Sequence, residues 1–449
     1  MVILELLLIF TFQCESSIKI PIKKEIHTQS RQLFSLPTED TLVNEVNTLK
    51  IYLLTGEFLI GTPPKQFKLA LTTVYPFAFL EKKICDNCGV YDVQYDTSDS
   101  STYENTGDIY ENTFMVNGNK IGWIGEISKD IVRFGDIEFE PFIVLANFNI
   151  DGQTFDNNET IFSSHDGMMG FGLRTEGYDH SLILESLISA GIVEKKIFSL
   201  FLNKLYEDQN LDPEDCPPSN LEIGGYDLEK YSSTGEILLT IPITLDDYWG
   251  NNFIDIYFDG NKIDVHGGVV FDIGLFYILA NEADFTEIIN YLIENYINCN
   301  FYYNITLKCY CEDISLMPTM YLKYNDVTLQ LNQTDLWYAY YSNCNLKIQK
   351  SNTDHWHIGD AIMSKYYTIF DMENKEIRLA PIALTIDNNE GDDENGDENG
   401  DENGDNNEGD EDNEGDENNE GNNEDNSDGN SEGMFMKASF ILLSLSIVY

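Results

Sequence analysis

The sequence predicts an all-β, β-dominated protein that is built from two similar lobes. Between residues 50 and 383, short runs rich in β-branched and aromatic residues alternate with Gly, Asn and Asp turn signals, most clearly at 51–60, 131–144, 237–243 and 253–258. An apolar strand, a loop with glycine and an apolar stretch ending in glycine follow one another once in each half. Roughly 330 residues suffice for two hydrophobic cores, since single cores stop growing near about 250–300 residues. The duplication predicts a cleft between two β lobes.

Helices are predicted to be few and short. The clearest helical pattern has apolar residues at positions i, i+3, i+4 and i+7, namely Phe285, Ile288, Ile289 and Leu292. A shorter one comprises Leu184, Leu187 and Ile188 and stops at Gly191, a residue typical of helix C-termini.

Several motifs follow one another along this central region. They are Gly61-Thr62-Pro63-Pro64 with the apolar strand after it, Asp99-Ser100-Ser101-Thr102-Tyr103, Asp166-Gly167-Met168-Met169-Gly170, Gly224-Gly225-Tyr226-Asp227, Asp272-Ile273-Gly274, Trp356-His357-Ile358-Gly359-Asp360, residues 366–371 and Leu379-Ala380-Pro381. In this order they resemble the motifs of the pepsin family of aspartic peptidases, over roughly residues 50–383. The resemblance implies the bilobal acid-protease fold, a peptide-binding cleft and no cofactor.

The two halves of the implied active site differ. Where the family has Asp-Thr-Gly in the first half, this chain has Thr72-Thr73-Val74, whereas the second half keeps Asp272 in Asp272-Ile273-Gly274. Aspartic peptidases use two carboxylates that share one proton. The resemblance therefore implies that Thr72 stands in the position of a missing catalytic aspartate and that hydrolysis is lost or strongly impaired.

The residues around this position also depart from the family pattern. Among the supporting residues only Thr73, which bridges the lobes in the family, and Gly274 match. The hairpin expected to cover the cleft has no tyrosine in register, and Gly122-Trp123 are the candidates to cover it instead. His357 stands where an apolar residue is expected, and it is interpreted as a tolerated, partly buried residue rather than a catalytic base. Asp96-Thr97-Ser98 looks like a catalytic triplet but is assigned to a surface segment.

Segments outside the central region predict a secretory protein. Residues 1–16 resemble a signal peptide, and residues 17–49 resemble a basic prosegment, with a basic surface strand of no inhibitory role as the alternative. The peptidase-like domain is then divided into lobes at 50–220 and 221–384. After it, residues 385–433 form a spacer, and residues 434–449 form a hydrophobic tail that fits a glycosylphosphatidylinositol-anchor signal. An uncleaved tail on a secreted protein is the alternative.

Charge excludes nucleic acid as a partner. Residues 387–433 contain 22 acidic residues and no Lys, Arg or aromatic residue, which predicts a disordered, self-repelling spacer rather than a calcium site. The whole chain has 78 acidic and 26 basic residues, so 56 acidic residues remain when the spacer is removed. The folded part is thus itself strongly acidic, which disfavours phosphate backbones.

Cysteines and sequons agree with an oxidising compartment. The resemblance implies disulfides Cys85–Cys88 and Cys311–Cys344, whereas Cys299 and Cys309 are candidates for a further bridge that leaves Cys216 unpaired. A zinc or redox role for Cys85 and Cys88 is the alternative, although no second ligand pair accompanies them. No metal site is predicted. Asn158, Asn304 and Asn332 begin glycosylation sequons.

Three functions remain open at this stage. The first is a monomeric, surface-anchored pseudopeptidase, held to the membrane by a lipid anchor, whose cleft binds an extended peptide or protein. The second is an aspartic endopeptidase with residual activity at acid pH through Asp272. The third is a coat or adhesion protein that uses the fold only as a scaffold.

Overall fold

The computed structural model describes residues 18–21, 23–28, 50–83, 93–116, 119–147, 166–203, 219–275, 277–296, 298–302, 306–340, 342–351 and 353–383. The predicted signal peptide, acidic spacer and hydrophobic tail lie outside the described residues. So do Cys85, Cys88, Cys216, Asn158 and Asn304. Of Gly122 and Trp123 only the backbone is described.

Strands dominate the described part of the chain, as the sequence predicts. Up to residue 223 they are β1 Ile18–Pro21, β2 Lys23–Thr28, β3 Lys50–Ile60, β4 Lys65–Thr72, β5 Ala78–Glu81, β6 Glu104–Val116, β7 Asn119–Lys129, β8 Val132–Phe134, β9 Ile137–Phe139, β10 Phe142–Asn147, β11 Gly167–Gly170, β12 Ile197–Phe201 and β13 Asn220–Ile223.

The second half continues in the same way. Its strands are β14 Leu239–Pro242, β15 Gly250–Asn251, β16 Asp255–Phe258, β17 Asn261–Ile263, β18 Val269–Phe271, β19 Ile278–Asn281, β20 Asn300–Tyr302, β21 Thr306–Tyr310, β22 Met320–Tyr324, β23 Val327–Leu331, β24 Trp337–Tyr340, β25 Asn343–Leu346, β26 Ile348–Ser351, β27 Trp356–Ile358, β28 Tyr366–Asp371 and β29 Glu376–Pro381.

Helices are short, and both predicted ones are confirmed. The α-helices in the described residues are α1 Ile183–Ser189, α2 Leu228–Tyr231, α3 Glu282–Asn295, α4 Gln333–Leu336 and α5 Asp360–Met363, with a 3₁₀ turn at Ile314–Leu316. Helix α3 begins at Asn281, whose side chain accepts a hydrogen bond from the Asp284 amide, as N-cap residues commonly do. It buries the four apolar residues of its predicted stripe.

Five sheets organise these strands. A six-stranded sheet has the order β1-β13-β12-β28-β29-β14, and a ten-stranded sheet has the order β6-β7-β10-β5-β11-β4-β3-β8-β9 with β2 paired to β3. The second half adds β15-β18-β27-β19-β26, β17-β16-β22-β23 and β20-β21-β25-β24. The predicted lobe boundary at residues 220 and 221 falls inside β13, so the six-stranded sheet contains strands from both halves.

The prosegment-like region contributes two of these strands. Strand β1 pairs antiparallel with β13 at the edge of the six-stranded sheet, and β2 pairs antiparallel with β3 over six residue pairs. Backbone hydrogen bonds in these ladders tie residues 18–28 to the same compact unit as the rest of the described residues.

A continuous apolar core connects the halves beneath the six-stranded sheet. The ring of Phe198 from β12 stacks on Phe370 from β28 with centroids 4.6 Å apart, and the Trp249 ring packs edge-on against both. The Trp249 indole Nε1 donates to the Phe171 carbonyl oxygen at 2.8 Å. Because Phe171 follows β11 and Trp249 precedes β18, this buried bond fixes one half against the other.

Candidate active site

In the first half, strand β4 ends at Thr72. The strand is apolar and fully buried toward its end, and it pairs in parallel with β11 so that Thr72 lies opposite Gly170. The Thr72 hydroxyl accepts a hydrogen bond from the Val74 amide at 3.1 Å, and its carbonyl accepts one from the Phe171 amide at 2.7 Å. Thr72 is thereby held at the buried end of the strand, where the chain begins to turn.

In the second half, strand β18 delivers Asp272 in the same manner. Strand β18 pairs in parallel with β27, and the Asp272 amide donates to the Ile358 carbonyl oxygen at 3.0 Å. The carboxylate is buried, and its Oδ1 accepts a hydrogen bond from the Gly274 amide at 3.0 Å.

Thr73 connects the two halves. Its hydroxyl donates to the Phe271 carbonyl oxygen at 2.8 Å and accepts from the Ile273 amide at 3.2 Å, in a buried environment. Gly274 lies against the first half, because a Cβ added to it would be 3.1 Å from the Leu71 carbonyl oxygen. The structure therefore brings the four residues 72, 73, 272 and 274 together. We call them the interlobe site.

His357 completes the surroundings of Asp272. The imidazole Nδ1 is 3.7 Å from Asp272 Oδ2, and the two side chains are only 3% and 7% exposed. The prediction that His357 is only partly buried is therefore wrong, because its side chain is fully buried. The imidazole also faces the carboxylate of Asp272, which the sequence analysis did not indicate. The feature of the sequence that could have indicated this contact is the histidine itself, which stands at an apolar position of the motif.

Tyrosines and a second histidine surround this pair. The Tyr75 phenol is buried, and burial, together with the neighbouring Tyr110, Tyr248 and Asp272, raises its pKa well above the usual value. The Tyr248 ring lies 5.7 Å from His355 and 6.2 Å from His357. Burial and the adjacent His357 lower the pKa of His355, whose Nδ1 accepts a hydrogen bond from the Gly268 amide. The sequence analysis named neither Tyr75 nor Tyr248 as a functional residue.

The hairpin of β6 and β7 lies in the first half. Gly122 and Trp123 belong to β7, and their Cα partners in β6 are Thr113 and Asn112. The same hairpin supplies Tyr110, which is buried edge-on against Phe77 with ring centroids 5.1 Å apart. A tyrosine of this hairpin therefore lies near Tyr75, whose pKa it helps to raise, at a position that the sequence motif did not indicate.

The remaining predicted residues lie elsewhere. The structure contains disulfides Cys299–Cys309 and Cys311–Cys344. Asn332 is exposed at the start of α4. Hydrogen bonds from Lys83 and Ser98 lower the pKa of the Asp96 carboxyl in a surface turn, so this carboxyl has structural partners of its own.

Metal clusters and membrane-spanning helices are both absent from the described residues. Within them, no group of three or more His, Cys, Asp or Glu side chains is arranged to hold a metal ion. None of the helices in the described ranges has the length and apolar character needed to cross a bilayer.

Comparison with known proteins assigns the family. The family model described as eukaryotic aspartyl protease matches residues 54–382. Cathepsin E of Aquarana catesbeiana is 25% identical over 338 residues, covering 73% of this chain and 79% of the relative. Pepsin A of Sus scrofa is 23% identical over 337 residues, covering 73% and 81%, and rhizopuspepsin of Rhizopus chinensis is 24% identical over 348 residues, covering 73% and 78%. The matched region contains every strand from β4 to β29, and the chain belongs to the eukaryotic aspartyl protease family.

Proposed function

We propose that this protein is a pepsin-like pseudopeptidase that binds an extended peptide or protein segment between its lobes and has lost most or all hydrolytic activity. The observation that carries the proposal is Thr72 at the end of β4, placed as Asp272 is placed after β18. A threonine hydroxyl carries no charge in the relevant pH range, so it neither accepts a proton as a base nor shares one with Asp272.

His357 does not replace the missing carboxylate. Two-carboxylate hydrolysis needs two neighbouring carboxylates that share one proton. His357 comes from β27, which pairs with β18 in the second lobe, so its imidazole belongs to the same lobe as Asp272 and does not take the position of Thr72. The position across from Asp272 is left with a hydroxyl.

The experiment that tests the proposal is a paired assay of hydrolysis and binding. We expect the purified protein, with residues 17–49 either retained or removed, to leave a denatured protein substrate intact at pH 3–5. The same preparation should bind immobilised extended peptides. Absence of both hydrolysis and peptide binding would favour the scaffold alternative instead.

Residual endopeptidase activity at acid pH is the second candidate. The observation in its favour is that Asp272 keeps its backbone support from the Gly274 amide. The two candidates separate in one assay: turnover of substrate that Asp272→Ala abolishes would establish the endopeptidase, and turnover that survives this change would indicate a contaminating enzyme.

A secretory, surface-anchored location is part of the proposal. Buried disulfides are typical of proteins that fold in oxidising compartments, which supports passage through the secretory pathway. The small residues and terminal apolar stretch of the sequence support a lipid anchor. Release of the protein from cells by a phosphatidylinositol-specific phospholipase is the expected result, and retention beside a released control protein would contradict it.

A further inference from the structure

His357 occupies a position that is apolar in the first lobe. Strands β11 and β27 end in the same way, at Gly170 and just before Gly359, and the residues two positions before these glycines are Met168 and His357. Met168 is buried among apolar residues. The second lobe therefore has a titratable side chain where its counterpart has a thioether, and that side chain faces the buried carboxylate of Asp272 at 3.7 Å.

Apolar, aromatic and acidic groups of the described residues surround His357. The paired strands β18 and β19 present Val270 and Leu279 opposite it. The loop before β15 contributes the Tyr248 ring, next to half-buried Asp247, whose pKa is raised by burial and by the nearby Asp246 and Glu176.

Two neighbouring titratable groups, Tyr75 and His355, have pKa shifts that favour their neutral forms. Beyond Asp272 lies the Tyr75 phenol, which its raised pKa keeps protonated. His355 has a lowered pKa, so it is neutral at pH 7.

We propose that His357 makes the interlobe site a pH-dependent selector of ligand charge. This inference rests on the proposed function, because it describes how the peptide is chosen. With a protonated imidazole the Asp272–His357 pair is neutral, and with a neutral imidazole the pair has a charge of −1. Histidine changes charge between about pH 5 and 8, where no two-carboxylate site with ordinary acid pKa values does. A peptide with a cationic residue beside Asp272 gains affinity as the pH rises, and one with a carboxylate loses it.

The test uses two peptides that are identical except for a central Lys or Glu. Neither side chain titrates between about pH 5.5 and 8, so changes in affinity report on the protein. Across this range we expect the Lys peptide to bind about tenfold more tightly and the Glu peptide about tenfold more weakly, as for charges roughly 6 Å apart in a partly hydrated site. In His357→Met, which copies Met168 of the first lobe, both affinities should be independent of pH. His355→Gln should retain the wild-type pH dependence.

Outcomes distinguish this inference from the proposed function. Unchanged pH dependence in His357→Met and in His357→Gln would overturn the selector, while leaving peptide binding established. A titration of the histidine NMR signals in the ligand-free protein tests the pair independently of any peptide. The signal that disappears in His357→Met should change its chemical shift in Asp272→Asn, and an unchanged signal would overturn the pair. Failure of both peptides to bind at every pH would refute the proposed function itself.

Discussion

The two lobes have the same strand order and directions around the interlobe site but different chemistry. In the first lobe, β10, β5, β11 and β4 are neighbours with parallel, antiparallel and parallel pairing. In the second lobe, β26, β19, β27 and β18 repeat this order and these directions. The repeated unit ends at Thr72 in one lobe and just before Asp272 in the other. The backbone unit is therefore independent of the carboxylate that it delivers in the second lobe.

Glycines explain why the backbone persists without the carboxylate. A Cβ on Gly170 would lie 2.2 Å from the Tyr75 carbonyl oxygen, and a Cβ on Gly359 would lie 2.2 Å from the Leu275 carbonyl oxygen. Tyr75 and Leu275 each come three residues after the residue at the end of the unit, Thr72 or Asp272. The tight turn that each lobe needs is thus fixed by a neighbouring glycine and not by the side chain at the site.

The largest expected effect comes from making the first lobe chemically equivalent to the second. Thr72→Asp alone should stay nearly inactive toward a denatured protein at pH 3–5, because the new carboxylate would have no supporting hydroxyl. Joint replacement of Thr72, Val74, Tyr75, Ile273 and Leu275 by residues of the family pattern should recover activity. A positioned acid or base typically contributes about 10²- to 10⁴-fold to the rate, so the two variants should differ clearly in initial rate.

A matched control keeps this experiment interpretable. The fivefold variant with Asp272→Ala added should be inactive, and both multiple variants should unfold at similar denaturant concentrations. Substantial activity of Thr72→Asp alone would contradict the prediction and would show that one carboxylate was the only missing element.

The next largest effect is expected when a methyl group is added to the glycine that contacts each turn. These variants test whether the two turns are equally tightly packed. Gly170→Ala and Gly359→Ala should each reduce the free energy of unfolding by at least about 1–3 kcal/mol, the usual cost of forcing extra atoms into a packed site. Denaturant titration measures both. Gly191→Ala separates crowding from backbone strain, because no atom lies within 4 Å of the added Cβ there and any cost comes from the positive φ of 69°. Equal stability of Gly170→Ala and the wild type would refute the packing argument for the first lobe.

The equivalent positions Thr73 and Ile273 differ, because the residue in the first lobe has a hydroxyl that bonds to the other lobe. Its hydroxyl bonds to Phe271 and Ile273 across the boundary, whereas Ile273 has no hydroxyl to return the contact. Thr73→Val should therefore reduce the free energy of unfolding by about 1–3 kcal/mol, since a buried carbonyl and a buried amide lose their partner. Thr73→Ser keeps the hydroxyl and should lose much less. Equal destabilisation of Thr73→Ser, which keeps the hydroxyl and loses only the methyl, would contradict the argument from the hydroxyl.

The sequence alone predicted the strand-rich scaffold and named the four residues of the interlobe site, but it did not indicate the side chains around them. Motif order located Thr72 and Asp272, and the apolar stripe located α3, because both depend on residues close together in the chain. The burial of His357 and its approach to Asp272 depend on the pairing of β27 with β18, whose residues are far apart in sequence. The same holds for Tyr75 and Tyr248, which come from different halves, and for the pairing of β1 with β13. Such contacts leave no periodic signal in a single sequence.

The smallest expected effect concerns a second histidine–carboxylate pair that belongs to the second lobe. Asp284 is fully buried and accepts hydrogen bonds from the Asn281 side chain, the Trp356 indole and His266, whose Nδ1 lies 2.6 Å from Asp284 Oδ1. This hydrogen bond and the charge of Asp284 raise the pKa of His266, which is itself exposed.

Because the pKa of His266 is higher in the folded than in the unfolded protein, its stabilising contribution is complete below about pH 6.5 and is lost as the pH rises through the raised value. In denaturant titrations from pH 5 to 9, the wild-type free energy of unfolding should fall over this interval, and His266→Gln should remove that part of the decrease. The same decrease in His266→Gln as in the wild type would contradict the prediction and would show that the pair with Asp284 does not contribute to the pH dependence of stability.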